Sequence, residues 1–92
     1  MAQTGAAGSP TAAVTVLFFA SAREAAGVAR TAVNADGTTV DQLAKQLCAT
    51  YGPGLEAVMA TCATWVNGAP AKAATLLVAG DEVAVVPPVS GG

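Results

Sequence analysis

The sequence predicts a single α+β domain in which a mixed sheet of four to five strands is covered on one face by one main helix. Two observations predict this fold. Runs of β-branched and aromatic residues lie at 14–20 and 82–86, and one capped amphipathic segment lies between them at 39–52. Because a single helix can cover only one face of a sheet, these elements indicate an α+β roll.

The first third of the chain predicts two strands joined by a helical turn. Residues 1–12 are small, uncharged and unpatterned, so we expect a flexible lead-in. The domain itself should span 13–88, followed by a protruding tail at 89–92. Its first strand is expected at 14–20, and its second at 30–35. Between them, residues 21–26 could form one helical turn that Gly27 ends.

The main helix carries the clearest local signals. Thr39 is a favourable N-cap, and Gln42 three residues later completes a capping box. Val40, Leu43 and Leu47 then fall on one face. Gly52 followed by Pro53 is typical of the end of a helix, and a shorter helical piece is expected over 55–61.

The remaining strands follow in the second half. A strand is expected at 62–66, followed by a tight hairpin turn at Asn67-Gly68. Leu76 and Leu77 should anchor a short extended stretch. The last strand, 82–86, is apolar at nearly every position, which favours a central place in the sheet. With the helix crossing between parallel neighbours, a β-grasp topology accommodates all of these elements.

Composition excludes several classes of function. Four basic residues against six acidic ones give a net charge of −2, so we expect no nucleic-acid binding. The absence of His excludes a Ser-His-Asp triad and an imidazole metal site, and Cys48 and Cys62 alone cannot form a zinc site, so no metal is expected. Cys48 is interpreted as a core residue, and Cys62 as a core or half-buried packing residue. No apolar run approaches the roughly 18 residues of a membrane helix, and no signal peptide is evident, so a cytoplasmic protein without a membrane partner is expected.

The last seven residues predict a reactive group that requires no side chain. Pro87-Pro88 forms a stiff extended spacer, and Val89 and Ser90 lead to Gly91 and Gly92. Glycines lack a Cβ and can enter a narrow channel. The α-carboxylate of Gly92 would then be the reacting group in the active site of a partner. The alternative is an inert, flexible tail.

Four segments together resemble the small, sulfur-carrier subunits of molybdopterin synthase. They are VTVLFFASAREAAG (14–27), VNADGTTVDQLAKQL (33–47), VNG (66–68) and GDEVAVVPPVSGG (80–92). The resemblance covers the chain from Ala13 onward and implies a ubiquitin-like β-grasp fold. The sulfur carrier of thiamine biosynthesis is similar in its fold and its Gly-Gly ending, but generally lacks the F-F-A-x-x-R-E opening and the Pro-Pro.

The resemblance implies a carrier that is not an enzyme on its own. An E1-like activating enzyme would use ATP to adenylate Gly92, a sulfur donor would convert it to a thiocarboxylate, and no cofactor would be bound permanently. The large subunit of molybdopterin synthase would then take the tail and sulfurate precursor Z (cyclic pyranopterin monophosphate) to form molybdopterin. Two sulfur donations per dithiolene imply a complex of two small and two large subunits.

A carrier of this kind needs an apolar surface for its partners. Phe19 and Val86, near the ends of strands expected to be neighbours, are the candidates, with Leu76 and Leu77 as weaker ones. Phe18 and Phe19 must point to opposite sides, so one of them should face outward. The last strand ends in Val85-Val86 where some relatives have aromatic residues, which indicates a smaller interface.

Three alternatives remain open from the sequence. The chain could carry sulfur for thiamine, cysteine or tRNA thiolation. It could be a ubiquitin-like modifier whose terminal glycine forms an isopeptide bond with a lysine. It could also be a β-grasp binding module with an inert tail.

Overall fold

The computed structural model of the chain describes residues 13–88, and the expectations for 1–12 and 89–92 lie outside the described residues. Its elements are β1 (Ala13–Phe18), α1 (Ala20–Ala26), β2 (Arg30–Asn34), α2 (Val40–Tyr51), α3 (Pro53–Met59), β3 (Ala63–Val66), β4 (Ala69–Pro70) and β5 (Glu82–Val86).

The strands form one mixed sheet in the order β2-β1-β5-β3-β4. β5 has the predicted bounds and the predicted central place, and it runs parallel to β1 with Phe18 opposite Val85. The other pairs are antiparallel. Since β1 and β5 are parallel, their C-terminal ends meet at the same edge of the sheet.

The capping box predicted for α2 is present in full. The Thr39 hydroxyl accepts from the Gln42 amide at 3.2 Å, and the Gln42 side chain accepts from the Thr39 amide at 2.9 Å. These bonds satisfy two of the donors that a helix start leaves without partners. The first turn therefore directs Val40, Leu43 and Leu47 toward the sheet, where all three are buried.

Three helices lie against the sheet: α2 is the main helix expected, α1 corresponds to the expected helical turn, and α3 to the expected shorter helical piece, which begins at Pro53 and ends at Met59. α1 ends at Gly27 in the left-handed conformation (φ 80°) that glycine adopts without steric cost. α3 begins with Pro53 in its first turn, and its Leu55 is buried. The core is formed by one face of the sheet and these helices, with Phe18 packed edge-on to Tyr51 at 5.7 Å between ring centroids.

The fifth strand differs from the expectation for the stretch around Leu76. That stretch makes only an isolated bridge between Leu76 and Thr39, and the additional strand is instead β4, directly after the turn. Asn67 and Gly68 both have positive φ, 51° and 81°, as a type I′ hairpin turn requires. This turn pairs Val66 with Ala69.

Among residues 13–88, no helix combines the length and the apolar character needed to cross a membrane.

Candidate partner-binding surface

Phe19 and Val86 lie side by side at the edge where β1 and β5 both end. Phe18 and Val85 are opposite each other in the parallel register, and the Phe19 amide donates to the Val85 carbonyl at 3.3 Å. Phe18 is 2% exposed whereas Phe19 is 46% exposed. The two aromatic rings therefore point to opposite sides, as expected, and Phe19 is the outward one.

One face of the sheet has no helix on it, and a row of side chains crosses it. Leu17 pairs with Ala84, Ala84 pairs with Trp65, and Trp65 pairs with Pro70. Leu17 and Ala84 alternate with the buried residues of β1 and β5, and the register places Trp65 and Pro70 beside them, on the face away from the helices. Trp65 is 37% exposed there. Phe19, two residues after Leu17 in extended backbone, continues this open face.

The exposed position of Trp65 could not be predicted from the sequence. The only sequence signal was its alternation with Thr64 and Val66 on a short strand. That alternation separates the two faces of the strand, but it does not say which of them the helices cover. Only the cross-strand register establishes that Trp65 lies on the open face.

The chain leaves the sheet at the Phe19 edge. Val86 forms the last β5 pair, with Ala63, and both following residues are prolines that have no N–H to continue the ladder. Pro87 is half-buried and Pro88 is exposed. The predicted tail residues Val89, Ser90, Gly91 and Gly92 lie outside the described residues.

The expectation that Leu77 contributes to a partner surface is wrong, because its side chain is fully buried in the core. Its amide donates to the Thr38 carbonyl at 2.8 Å and its carbonyl accepts from Gly37, which fixes the side chain inward. Leu76, in contrast, is 66% exposed.

Leu76 is not brought together with Phe19. Its loop is hydrogen-bonded around the start of α2 and, through the Gly80 amide, to the carbonyl of Ala13, the first residue of β1. Phe19 follows the opposite end of β1. With Val78, which is 58% exposed and was not predicted, Leu76 forms a separate apolar spot.

Cys48 and Cys62 are both free and half-buried, so Cys62 is the half-buried packing residue expected, whereas the interpretation of Cys48 as a core residue is wrong. Burial, and secondarily the carboxylate of Glu56, raises the pKa of Cys48 above its usual value. Burial also raises the pKa of Cys62, whose thiol donates to the Val58 carbonyl at 3.2 Å. Because the thiolate is the reacting form, these upward shifts disfavour nucleophilic reaction at either cysteine.

The described part of the chain, 13–88, contains no group of three His, Cys, Asp or Glu residues placed to hold a metal ion.

Comparison with known proteins identifies the family to which this chain belongs. The family model described as the ThiS family matches residues 16–92. The chain belongs to the ThiS family. Like other members it combines a ubiquitin-like β-grasp sheet with covering helices, which confirms the fold expected from the sequence.

A curated relative of this ThiS-family chain is the molybdopterin synthase sulfur carrier subunit of Chlamydomonas reinhardtii. The two are 40% identical over 82 residues, which is 86% of this chain and 98% of the relative. The chain is therefore a homologue of a sulfur carrier subunit over nearly the full length of that protein.

Two solved structures are informative. The crystal structure of SAMP1 from Haloferax volcanii, a small archaeal modifier protein, superposes with a TM-score of 0.77 at 30% identity, covering 87% of this chain and 99% of SAMP1. In the complex of subunits 1 and 2 of the molybdopterin-converting factor from Helicobacter pylori, the matching chain gives a TM-score of 0.59 at 26% identity. That match covers 87% of this chain and 99% of the other.

Proposed function

We propose that this ThiS-family chain is the sulfur carrier of molybdopterin synthase and that it carries sulfur as a thiocarboxylate on Gly92. The observation that carries the proposal is the 40% identity to a molybdopterin synthase sulfur carrier subunit across 98% of that protein. The family match extends through residue 92 and therefore includes the Gly-Gly pair.

The chemistry needs partners because a carboxylate is a poor electrophile until its oxygen becomes a good leaving group. An E1-like activating enzyme joins the Gly92 carboxylate to the AMP part of ATP and releases pyrophosphate. Hydrosulfide delivered by a sulfur donor then attacks the acyl carbon, the bond to AMP breaks as the C–S bond forms, and loss of the S–H proton leaves the thiocarboxylate. The carrier supplies only the terminus and a docking surface, so the catalytic groups belong to the activating enzyme and to the large subunit.

The position of Pro87 and Pro88, from which the tail continues, supports this assignment of roles. β5 is fixed between β1 and β3, so the spacer Pro87-Pro88 begins from a rigid position. Four residues beyond Pro88 reach at most roughly 13–14 Å, enough to enter an active site while the Phe19 edge stays docked. We propose that Phe19 and Val86 contact the large subunit. In the H. pylori complex, a protein similar to this chain is bound to the other subunit of the molybdopterin-converting factor. In the large subunit the thiocarboxylate sulfurates precursor Z, and two donations per dithiolene favour a heterotetramer.

The raised thiol pKa values argue against a carrier that holds sulfur on a cysteine. A persulfide-forming cysteine needs an accessible thiolate at neutral pH, and burial acts against that form at both Cys48 and Cys62.

Intact mass spectrometry tests the proposal. The full chain is incubated with ATP, an activating enzyme and a sulfur source. We expect a species heavier by one oxygen-for-sulfur exchange, localised to the fragment that ends at Gly92. A variant with one residue added after Gly92 is the control, which should fold normally and gain no sulfur. Sulfur on both proteins, or on a cysteine-containing fragment, would contradict the proposal.

The similarity to SAMP1 favours a second candidate, a ubiquitin-like protein modifier. In that function the activated Gly92 carbonyl is attacked by a lysine amine, and an isopeptide bond replaces the acyl-adenylate. Protein conjugates in cells that disappear when Gly91 and Gly92 are deleted would support this candidate. Transfer of sulfur to precursor Z without conjugates would exclude it.

A further inference from the structure

A depression of about 280 Å³ lies at the edge of the sheet where the tail leaves, and two of the four basic residues of the chain line it. Its walls come from the end of β1, from α1 and from the start of β2. Phe19 contributes its exposed ring, Arg23 projects from α1, and Arg30 is the first residue of β2.

The backbone brings these three side chains together. Phe19 is still extended, and Ala20 then takes a positive φ of 50°, which reverses the chain direction. A left-handed alanine is sterically unfavourable and persists only where the surrounding structure holds it. The Phe19 carbonyl accepts from the amides of Ala22 and Arg23, so α1 starts directly over the end of β1. Arg30 arrives from the other side, paired with Leu17 across the strands.

The two arginines are exposed and have no ionic partner among residues 13–88, where the ion pair present is Lys45 with Asp41 at 3.3 Å. The chain as a whole carries a net charge of −2. Positive charge is therefore concentrated beside an exposed aromatic ring on an otherwise acidic protein. This local charge is opposite to that of a carboxylate and attracts one.

We propose that this depression, which we term the arginine recess (Phe19, Arg23 and Arg30), receives an Asp or Glu side chain of the proteins that bind the tail. A guanidinium presents planar, paired N–H donors that match a carboxylate, and the aromatic ring offers an apolar contact for the carbon atoms of that side chain. The proposal rests on the proposed function. It adds that the partners of the carrier share an acidic residue next to an apolar one.

The occupant belongs to a protein because the recess continues into the Phe19–Val86 edge. The Phe19 amide donates a hydrogen bond to the Val85 carbonyl, and Pro87 lies two residues after Val85. A partner that takes the tail into its active site must therefore pass over this edge. A carboxylate at that place adds long-range attraction before contact and a directed hydrogen-bonded pair after it.

Charge-reversal variants of the full chain test the proposal by association kinetics. Arg23→Glu and Arg30→Glu are compared with Lys72→Glu, which makes the same charge change at an exposed residue that does not line the recess. Binding is measured to the purified large subunit and to the activating enzyme at low and at high salt. We expect either arginine variant to slow association with both partners about tenfold or more at low salt and to flatten its salt dependence, while Lys72→Glu changes it less than about twofold.

The outcomes distinguish a failure of this proposal from a failure of the proposed function. If wild-type protein binds and all three variants bind equally well, the arginine recess is not a carboxylate site, and the carrier function stands. Equal slowing by Lys72→Glu would also overturn the proposal, because overall charge would then explain the effect. If the wild-type chain binds neither partner and gains no sulfur, the proposed function itself fails. Recovery of Arg30→Glu binding by an Asp-to-Arg or Glu-to-Arg change in a partner would identify the occupant.

Discussion

Asn67 and Asp81 are joined by a hydrogen bond of 2.9 Å although they belong to separate sequence motifs, VNG and GDEV. The side-chain amide of Asn67 donates to one carboxylate oxygen of Asp81, and the other carboxylate oxygen accepts from the backbone amide of Val78 at 2.9 Å. Asn67 also accepts from the Glu82 amide at 2.9 Å. Two turns at the same end of the sheet are thereby connected, and the start of the central strand is fixed in register.

Replacement of Asn67 should therefore destabilise the fold. Asn67→Ala removes both side-chain hydrogen bonds and leaves an alanine at φ 51°, a conformation that Asn tolerates better because its side chain can hydrogen-bond locally, so we expect a loss of roughly 1–3 kcal/mol in the free energy of unfolding. Asn67→Gly removes the same bonds but tolerates positive φ, and should lose less. Urea unfolding of the wild type and the two variants measures the loss due to the hydrogen bonds and the additional loss due to positive φ. Equal stability of Asn67→Ala and the wild type would show that the connection contributes nothing.

The sequence predicted the features that depend on neighbouring residues. The Thr39 capping box, the Gly27 helix end and the Asn67-Gly68 turn each depend on a window of a few residues, and each is present. The central place of the last strand was also predicted, because the run at 82–86 is apolar at nearly every position.

Features set by distant contacts could not be predicted in the same way. Adjacent leucines at 76 and 77 had to point apart, but the buried one is chosen by the hydrogen bond between Leu77 and Thr38. The proximity of Arg23 to Arg30 could not be predicted either, because strand pairing between β1 and β2 brings Arg30 to the recess. The exposure of Trp65 likewise depends on which face the helices cover.

Phe18 and Phe19 should separate stability from binding. Phe18→Ala removes a ring that is 2% exposed and leaves a cavity, so we expect a loss of about 3–5 kcal/mol in unfolding free energy. Phe19→Ala removes a ring that is 46% exposed, and stability should change by no more than about 0.5 kcal/mol. Affinity for the large subunit should fall for Phe19→Ala, measured by calorimetry on the folded proteins. Unchanged affinity would place the partner surface elsewhere.

Sulfur loading should not require either cysteine. In the double variant Cys48→Ala and Cys62→Ala, we expect the same fraction of sulfur-bearing protein as in the wild type, because the proposed acceptor atom is on Gly92. Intact mass after incubation with ATP, activating enzyme and sulfur source measures that fraction. Thermal unfolding of the variant serves as the folding control, and loss of sulfur from a folded variant would assign the carrier atom to a thiol.

The thiols should react slowly and with a shifted pH dependence. Since burial raises the pKa of Cys48 and Cys62, less thiolate is present at a given pH than in the unfolded chain, and the midpoint of alkylation rate against pH should move upward. Because the pKa of each thiol is higher in the folded protein than in the unfolded chain, the unfolded chain releases these protons first. The free energy of unfolding should therefore fall as the pH rises from the ordinary thiol pKa through the raised pKa of the folded protein.

A single substitution tests the cause of the Cys48 shift. Glu56→Gln should lower the alkylation midpoint of Cys48 and leave that of Cys62 in place, since the Glu56 charge acts on the first thiol. Peptide-resolved iodoacetamide labelling measures both thiols in one sample. An equal movement of the two midpoints would indicate a general loosening of the fold instead of removal of one charge.

Gly91→Ala should slow transfer strongly without affecting the fold. The proposed channel accepts bare backbone, so an added Cβ would displace the reacting terminus, and a misplacement of about 1 Å can cost on the order of 100-fold in rate. Ser90→Ala removes a hydroxyl but keeps its Cβ and is the matched control, expected to react nearly as fast as the wild type. Rates of adenylation and of sulfur transfer to precursor Z are measured separately, with thermal unfolding to verify that both variants fold. Wild-type rates for Gly91→Ala in both steps would show that neither partner encloses the tail in a narrow channel. A defect in only one step would identify which of the two partners has that channel.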